Sequence, residues 1–266
     1  MEAAQLGQVT KSAAEIYEEF FVPALFSEWA ARVVNAAGVA TGHSVIDVAC
    51  GTGVLARKAE REVGTKGMVV GLDRNEDMLE VARRMTPNID WRHGQAESLP
   101  FPDHSFDAVV SQFGLMLFEG SSASLSEMWR VLRPDGKLAV AVWDKMDRMP
   151  GYAAMTHLLQ TLFGDRVSDA LEAPFVLGDP DVLMHLFAEA DIPHARLETH
   201  DGTARYPSIG SWLHTDICGW TLAGMLDEDE YSTLSDVAEA HLKAFEQADG
   251  TVAFPSSAHI VIAAKS

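Results

Sequence analysis

Residues 45–53 read VIDVACGTG, and the way this stretch begins and ends decides the fold. Ser44 to Ala49 is a β-branched, apolar run of strand character; Gly51 and Gly53 interrupt it, and helix-like apolar spacing starts at once and continues from Val54 to Glu62. A strand that feeds a glycine turn and then a helix brings loop amides and a helix N-terminus close to a ligand. The glycines remove the Cβ atoms that would obstruct that approach. Twenty residues past Gly53, Asp73 ends a second apolar strand, MVVGLD (68–73), where a carboxylate can accept hydrogen bonds from both hydroxyls of a ribose. Loop and acid together describe a nucleoside-like ligand. Gly51, Gly53 and Ala56 also satisfy the GxGxxG/A spacing of dinucleotide sites, which keeps an NAD-dependent oxidoreductase as the alternative. Asp47 weighs against it: an acid inside an apolar strand, just before the turn, repels a pyrophosphate and attracts an ammonium group.

Outward from this core, further strands are expected at IDWRH (89–93), FDAVVS (106–111) and KLAVAVW (137–143), with helices at 75–85 and 124–132 between them. Asn75 is placed to cap the first of these helices, and the RPDG sequence at 133–136 to turn into the fifth strand. Strands alternating with helices signal a parallel sheet with crossover connections. Before it, residues 12–37 form aromatic-rich helices (Tyr17, Phe20, Phe21, Phe26, Trp29) broken at Pro23. After it come helices at 152–163 and 181–190, a strand at 196–205, a helix at 211–224, a helix opened by a capping box at Asp227 and Glu230, and a last strand at 259–265. This divides the chain into an N-terminal helical lid (1–43), a cofactor-binding core (44–145) and an acceptor-side half that completes the same sheet (146–266).

The chain has 266 residues with 39 acids against 20 bases, a formal charge of −19, and ten acids against two bases fall between residues 201 and 250. Such a field repels phosphate backbones and anionic lipid surfaces, so neither nucleic acid nor a membrane is expected as a partner. No apolar run approaches the ~18 residues of a membrane span. Two cysteines, Cys50 and Cys218, make neither a disulfide framework nor a metal site, and fit a reduced, cytoplasmic protein.

At this point the sequence resembles the class I S-adenosylmethionine-dependent methyltransferases, in the branch of the ubiquinone and menaquinone C-methyltransferases. Four segments carry the resemblance in the family's order: VIDVACGTG (45–53), GLDRNEDMLEVAR (71–83), GQAESLPFPDHSFDAVVS (94–111) and EMWRVLRPDGKLAVAVW (127–143). It implies an α/β, Rossmann-like, doubly wound sheet of seven strands whose last strand is antiparallel, with helical lid elements, and S-adenosylmethionine as cofactor. Position by position it implies that the backbone at Ala49, Cys50, Gly51 and Gly53 faces the cofactor and that Asp47 reaches its methionine amine. Asp73 would hold the ribose, Arg74 and Met78 bracket the adenine, Gln95 and the amide of Ala96 read the adenine edge, Ser111 and Gln112 border the methionine moiety, and Tyr17 caps the ligand. The chain departs from the family pattern twice. Ala49 stands in place of the usual glycine, where it fits if φ stays negative, and Gln95 in place of a frequent aspartate.

Methyl transfer disperses positive charge, so alignment and water exclusion carry most of it, and a base is needed only where the acceptor must lose a proton. His214, His157 and Tyr152 are the weak candidates for that base, with Asp144 and Asp216 beside them. The expected acceptor is a small organic molecule in a helix-roofed cavity walled by Trp212, His214, Cys218 and Trp220; whether carbon, nitrogen or oxygen is methylated is left open. A catalytically silent cofactor-binding protein is the remaining alternative. No metal is expected, and the protein is expected to be a monomer or homodimer.

Overall fold

In the computed structural model, residues 13–219 and 222–266 are described. The expectations for residues 1–12 of the lid and for Trp220 lie outside them. The parallel core contains β1 (Ser44–Val48), β2 (Met68–Asp73), β3 (Asp90–His93), β4 (Phe106–Gln112) and β5 (Leu132–Trp143). A seven-stranded sheet results once β6 (Arg196–Tyr206) and β7 (Val252–Ala264) join, in the order β3-β2-β1-β4-β5-β7-β6. All pairs among the first five strands are parallel, and β7 runs antiparallel to both of its neighbours. The last strand is therefore antiparallel, as the resemblance implied, and it lies in the interior of the sheet between β5 and β6. The order reverses at β1, flanked by β2 and β4, and the crevice outside the strand ends at such a switch point is where α/β sheets bind ligands.

Ten helices cover the sheet: α1 (Ala13–Ile16), α2 (Ser27–Ala36), α3 (Val54–Val63), α4 (Glu76–Met85), α5 (Ser121–Val131), α6 (Pro150–Phe163), α7 (Asp165–Glu172), α8 (Pro180–Glu189), α9 (Ile209–Gly219) and α10 (Glu228–Leu242) among the described residues. The expected caps form. Asn75 Oδ1 accepts from the amides of Asp77 at 2.9 Å and Met78 at 3.3 Å, and Asp227 and Glu230 complete a reciprocal capping box on α10.

Several boundaries differ from expectation. Pro23 does not break the N-terminal helix: Tyr17–Phe26 is a π-helix that contains it. In an α-helix the proline ring would press on the carbonyl of the residue four back, and the wider turn relieves that clash. The Ser27 amide closes the last wide turn on Val22 O, and the Ser27 hydroxyl adds a 2.8 Å bond to the same oxygen. The RPDG segment joins the strand, since β5 begins at Leu132 with Asp135 at φ 63° and its amide donating to Lys265 O at 2.7 Å. Strand β7 starts seven residues before the expected His259, at Val252, because its extended backbone pairs with β6 from Tyr206 onward. Helix α7 was not anticipated.

Candidate functional site

The turn after β1 is drawn tightly across the strand ends. The Cys50 amide donates to Leu72 O at 3.0 Å and the Gly53 amide to Cys50 O at 2.8 Å, while Ala49, Gly51 and Gly53 all have positive φ, at 60°, 54° and 94°. The expectation of negative φ at Ala49 is therefore overturned. A left-handed alanine costs ~1–2 kcal/mol. The structure accommodates its methyl by placing Gly114 opposite, where a Cβ would lie 2.6 Å from Ala49 Cβ. The two glycines of the loop serve different ends. Gly51 faces the cleft, whereas a Cβ on Gly53 would meet the Trp91 ring at 2.3 Å, so Gly53 makes room for an indole and not for a ligand. Trp91 also packs on Gly71 of β2 and donates from Nε1 to Thr86 O at 2.8 Å, which locks β3 to β2 and to the end of α4.

A cavity of about 330 Å³ lies over the ends of β1, β2 and β4. It gathers eight of the expected ligand residues: Tyr17, Ala49, Gly51, Asp73, Arg74, Met78, Ala96 and Gln112. Asp73 stands at its centre of polarity. One carboxylate oxygen accepts from the Gly51 amide and the other from the Asn75 amide, both at 2.8 Å. Burial pushes the Asp73 carboxyl above its usual range, and these backbone bonds oppose the shift. Gln112 lies at the end of β4 and donates from Nε2 to Phe26 O at 3.1 Å, tying the sheet edge to the π-helix.

Five expected residues do not line the cavity. Asp47, Cys50, Gly53 and Ser111 sit behind it, and Gln95 points to solvent from a tight turn that bridges to Ser98. Asp47 is the most informative of them. It is 1% exposed, neither carboxylate oxygen meets a donor at hydrogen-bonding geometry among the described residues, and burial pushes its carboxyl well above the usual range. The Ala56 amide and the Arg57 guanidinium offset that burial only in part. An aqueous or ammonium donor is the chemistry this acid lacks, which is the fit expected for the methionine amine of S-adenosylmethionine. Burial also raises the Cys50 thiol well above its usual range, leaving a protonated apolar group and no nucleophile.

The roof is aromatic. Tyr17 lies against Gly51 and stacks on Phe26 at 5.0 Å, and Phe26 and Trp29 pack on a parallel Phe113–Trp143 stack 3.6 Å between centroids. Ion pairs hold this roof to the core from two sides, Glu18 to Arg57 of α3 at 2.7 Å and Glu15 to Arg84 of α4 at 2.9 Å. Sequence reasoning missed Trp91, Phe113, Gly114 and Glu97, all of which shape the site; of these only the Phe-Gly pair directly after β4 carried a local signal. None of the candidate bases lines this cavity. His157 is exposed, His214 packs edge-on to Phe20 at 5.3 Å, and Asp144 is engaged by Ser257 at 2.9 Å and His259 at 3.1 Å. Tyr152 and Asp216 are buried with Tyr206. Trp212, expected in the acceptor wall, is fully buried among Tyr152, Tyr206 and Phe254.

The profile of the ubiE/COQ5 methyltransferase family matches residues 8–161, more than half of the chain. The chain belongs to that family. Among curated ubiE/COQ5-type relatives, the ubiquinone/menaquinone biosynthesis C-methyltransferase UbiE of Hahella chejuensis is 43% identical over 123 residues, 44% of this chain. That stretch spans 49% of the relative, so the chain covers about half its length. The demethylmenaquinone methyltransferase of Staphylococcus aureus is 33% identical over 196 residues, 68% of this chain and 81% of the relative. A solved structure of a putative methyltransferase from Bacillus halodurans shares the fold at a TM-score of 0.60 and 20% identity, over 89% of this chain and 98% of that one. Membership of the ubiE/COQ5 family leaves the dinucleotide reading without support. No helix among the described residues is long and apolar enough to cross a membrane.

Proposed function

We propose that this ubiE/COQ5 family member transfers a methyl group from S-adenosylmethionine to a small organic acceptor. The observation that carries the reading is the pair of acids around the loop: Asp73 facing the cavity, and Asp47 buried behind it with its burial offset only in part by the Ala56 amide and the Arg57 guanidinium. Bound S-adenosylmethionine supplies an electrophilic methyl group on a sulfonium. Asp73 accepts from the ribose hydroxyls, Arg74 and Met78 flank the base beside Ala96, and Gln112 borders the methionine end. Asp47, behind the cavity wall, holds the amine through water. Tyr17 and the roof behind it exclude water from the sulfonium. The names of the two curated relatives support a quinone-type acceptor methylated at carbon. Two unpaired cysteines support a cytoplasmic setting.

Titration calorimetry with S-adenosylhomocysteine tests the cofactor assignment. The wild-type chain should bind it, and Asp73→Ala should weaken binding by about 1.5–3 kcal/mol, the scale of hydrogen bonds to a charged group. Undiminished affinity in Asp73→Ala would remove that residue from the ribose site. Transfer of labelled methyl from S-adenosylmethionine to a demethylated quinol tests the acceptor class, and failure with quinols but success with an amine or a phenol would move the methylated atom.

A further inference from the structure

The sheet ends at β6, and only half of that edge is covered. The register with β7 is unbroken from Arg196 to Tyr206, so the main-chain groups of successive residues alternate between β7 and the open side. Two side-chain contacts fix the phase of this alternation. Asp201 O accepts from Arg32 at 2.7 Å and the Thr203 amide donates to Glu28 at 3.3 Å, so the odd-numbered residues turn their main chain outward. Both partners come from α2, which thereby closes the half of the edge beyond His200. On the other half, the outward groups of Leu197 and Thr199, and of Ala195 just before the strand, meet no partner among the described residues. No bulge, proline or helix guards the stretch, though these are the usual devices that keep an exposed edge from pairing. We propose that this open stretch of β6 pairs antiparallel with the same stretch of a second copy of the chain, Leu197 opposite Leu197 across a two-fold axis.

Self-complementarity of the stretch decides both the partner and the register. In an antiparallel pair, outward-facing residues stand opposite outward-facing residues. A register centred on Glu198 or Thr199 brings Ala195 or Leu197 against Asp201, whose carbonyl Arg32 already occupies, and the first of these also sets Glu198 against its own copy. A register centred on Arg196 sets that arginine against itself and places Thr199 opposite Pro193, which has no amide to give. Centred on Leu197, the pairing stays within residues 195–199. Ala195, Leu197 and Thr199 each donate one main-chain bond and accept one, and Arg196 faces Glu198 of the second copy on both sides of the axis. These two side chains share one face of β6, where they already touch within the strand, and both keep exposed surface. Side chains directly opposite across a strand pair approach to ~4.5–5.5 Å between Cβ atoms, closer than neighbours along one face of a strand. The main-chain bonds therefore hold the copies together and the charges set the register. So short an edge belongs with weak, micromolar association. The formal charge of −19 on each copy opposes it at long range, and a Debye length of about 8 Å at physiological salt confines that repulsion. The cofactor cavity lies over β1, β2 and β4, away from this edge, so pairing leaves it open.

Sedimentation equilibrium of the full chain at physiological salt tests the pairing. The wild-type chain should associate to a dimer in the micromolar range. Arg196→Glu and Glu198→Arg should each weaken association about tenfold or more, because each sets like charges opposite one another on both sides of the axis. An equimolar mixture of the two variants should form a heterodimer about as tight as the wild-type dimer, since every opposing pair is then again of opposite sign. The double variant Arg196→Glu/Glu198→Arg should dimerise by itself. Restoration on mixing cannot come from damage to the fold of either variant. A wild-type chain that stays monomeric at hundreds of micromolar overturns the proposal, whether the edge is idle or takes a different strand. A dimer that Glu198→Arg leaves intact places the interface elsewhere, and a mixture that fails to restore association overturns the register centred on Leu197.

Discussion

At the scale of single residues, the loop after β1 shows a strained position tolerated through its neighbour. Ala49 holds φ 60° because the turn needs a left-handed residue there, and Gly114 keeps the space its methyl occupies. Ala49→Gly should therefore stabilise the fold by about 1 kcal/mol, measured by urea unfolding. Gly114→Ala should destabilise it, since the new Cβ would sit 2.6 Å from Ala49 Cβ, and the double variant Ala49→Gly/Gly114→Ala should recover most of the loss. Additive effects in that cycle would show that the two positions do not share the space. Which residues gather at the cavity was largely legible because each motif ties a chemical type to a fixed place at a strand end, as with Asp73. What was not legible was which way a side chain turns once the loop closes. Gln95 and Ala96 are adjacent, yet one faces solvent and the other the cavity, and Gly53 serves an indole contributed by Trp91, thirty-eight positions along the chain.

At the scale of elements, the N-terminal roof combines a locally unusual helix with long-range anchors. The π-helix Tyr17–Phe26 is joined to α3 through Glu18–Arg57 and to β4 through Gln112, and the preceding α1 is joined to α4 through Glu15–Arg84. Two of these elements also border the cofactor cavity, α4 through Met78 and β4 through Gln112, and α3 follows directly on the loop that does. Ligand binding that stiffens those elements should reach the roof through these bonds, and amides from Ile16 to Trp29 should gain protection from hydrogen exchange when S-adenosylhomocysteine is added. Equal protection with and without it would make the roof a fixed part of the core. Breaking one anchor with Arg57→Met should raise the cofactor dissociation rate several-fold and leave the sheet's own exchange unchanged. Helix periodicity alone could not have anticipated the wide turns: proline reads as a breaker in sequence, and only packing of Phe21, Phe26 and Trp29 against the sheet edge makes a wider helix the cheaper solution.

For the whole molecule, the surplus of acids and the buried ionisable groups set the response to pH. Asp216 keeps its proton to about pH 8 in the folded chain, while in the unfolded chain it loses it near the ordinary 3.8. Between those values the unfolded state binds fewer protons, so folding stability falls as pH rises and levels off above about 8. Asp47, raised in the same direction, adds to the slope. Asp216→Asn keeps the shape and removes the titration, so its thermal midpoint relative to wild type should climb from pH 5 and level off above about pH 8. A constant difference across that range would mean that Asp216 is not buried as a neutral acid. The architecture itself was the most legible level, because alternating strands and helices constrain a doubly wound sheet more tightly than they constrain any one boundary.

The place of β7 has a consequence for how the chain is made. The strand nearest the C-terminus is inserted between β5 and β6 and pairs with both along most of its length. During synthesis, β6 therefore has no strand to join until residues 252–264 have left the ribosome, and until then β5 and β6 each present an open hydrogen-bonding edge. The nascent protein is most exposed to mispairing and aggregation in that interval, and the final insertion is a long-range, slow event. Loss of even this one short segment would detach β6, so completion of the sheet serves as a checkpoint between a synthesised chain and a usable one.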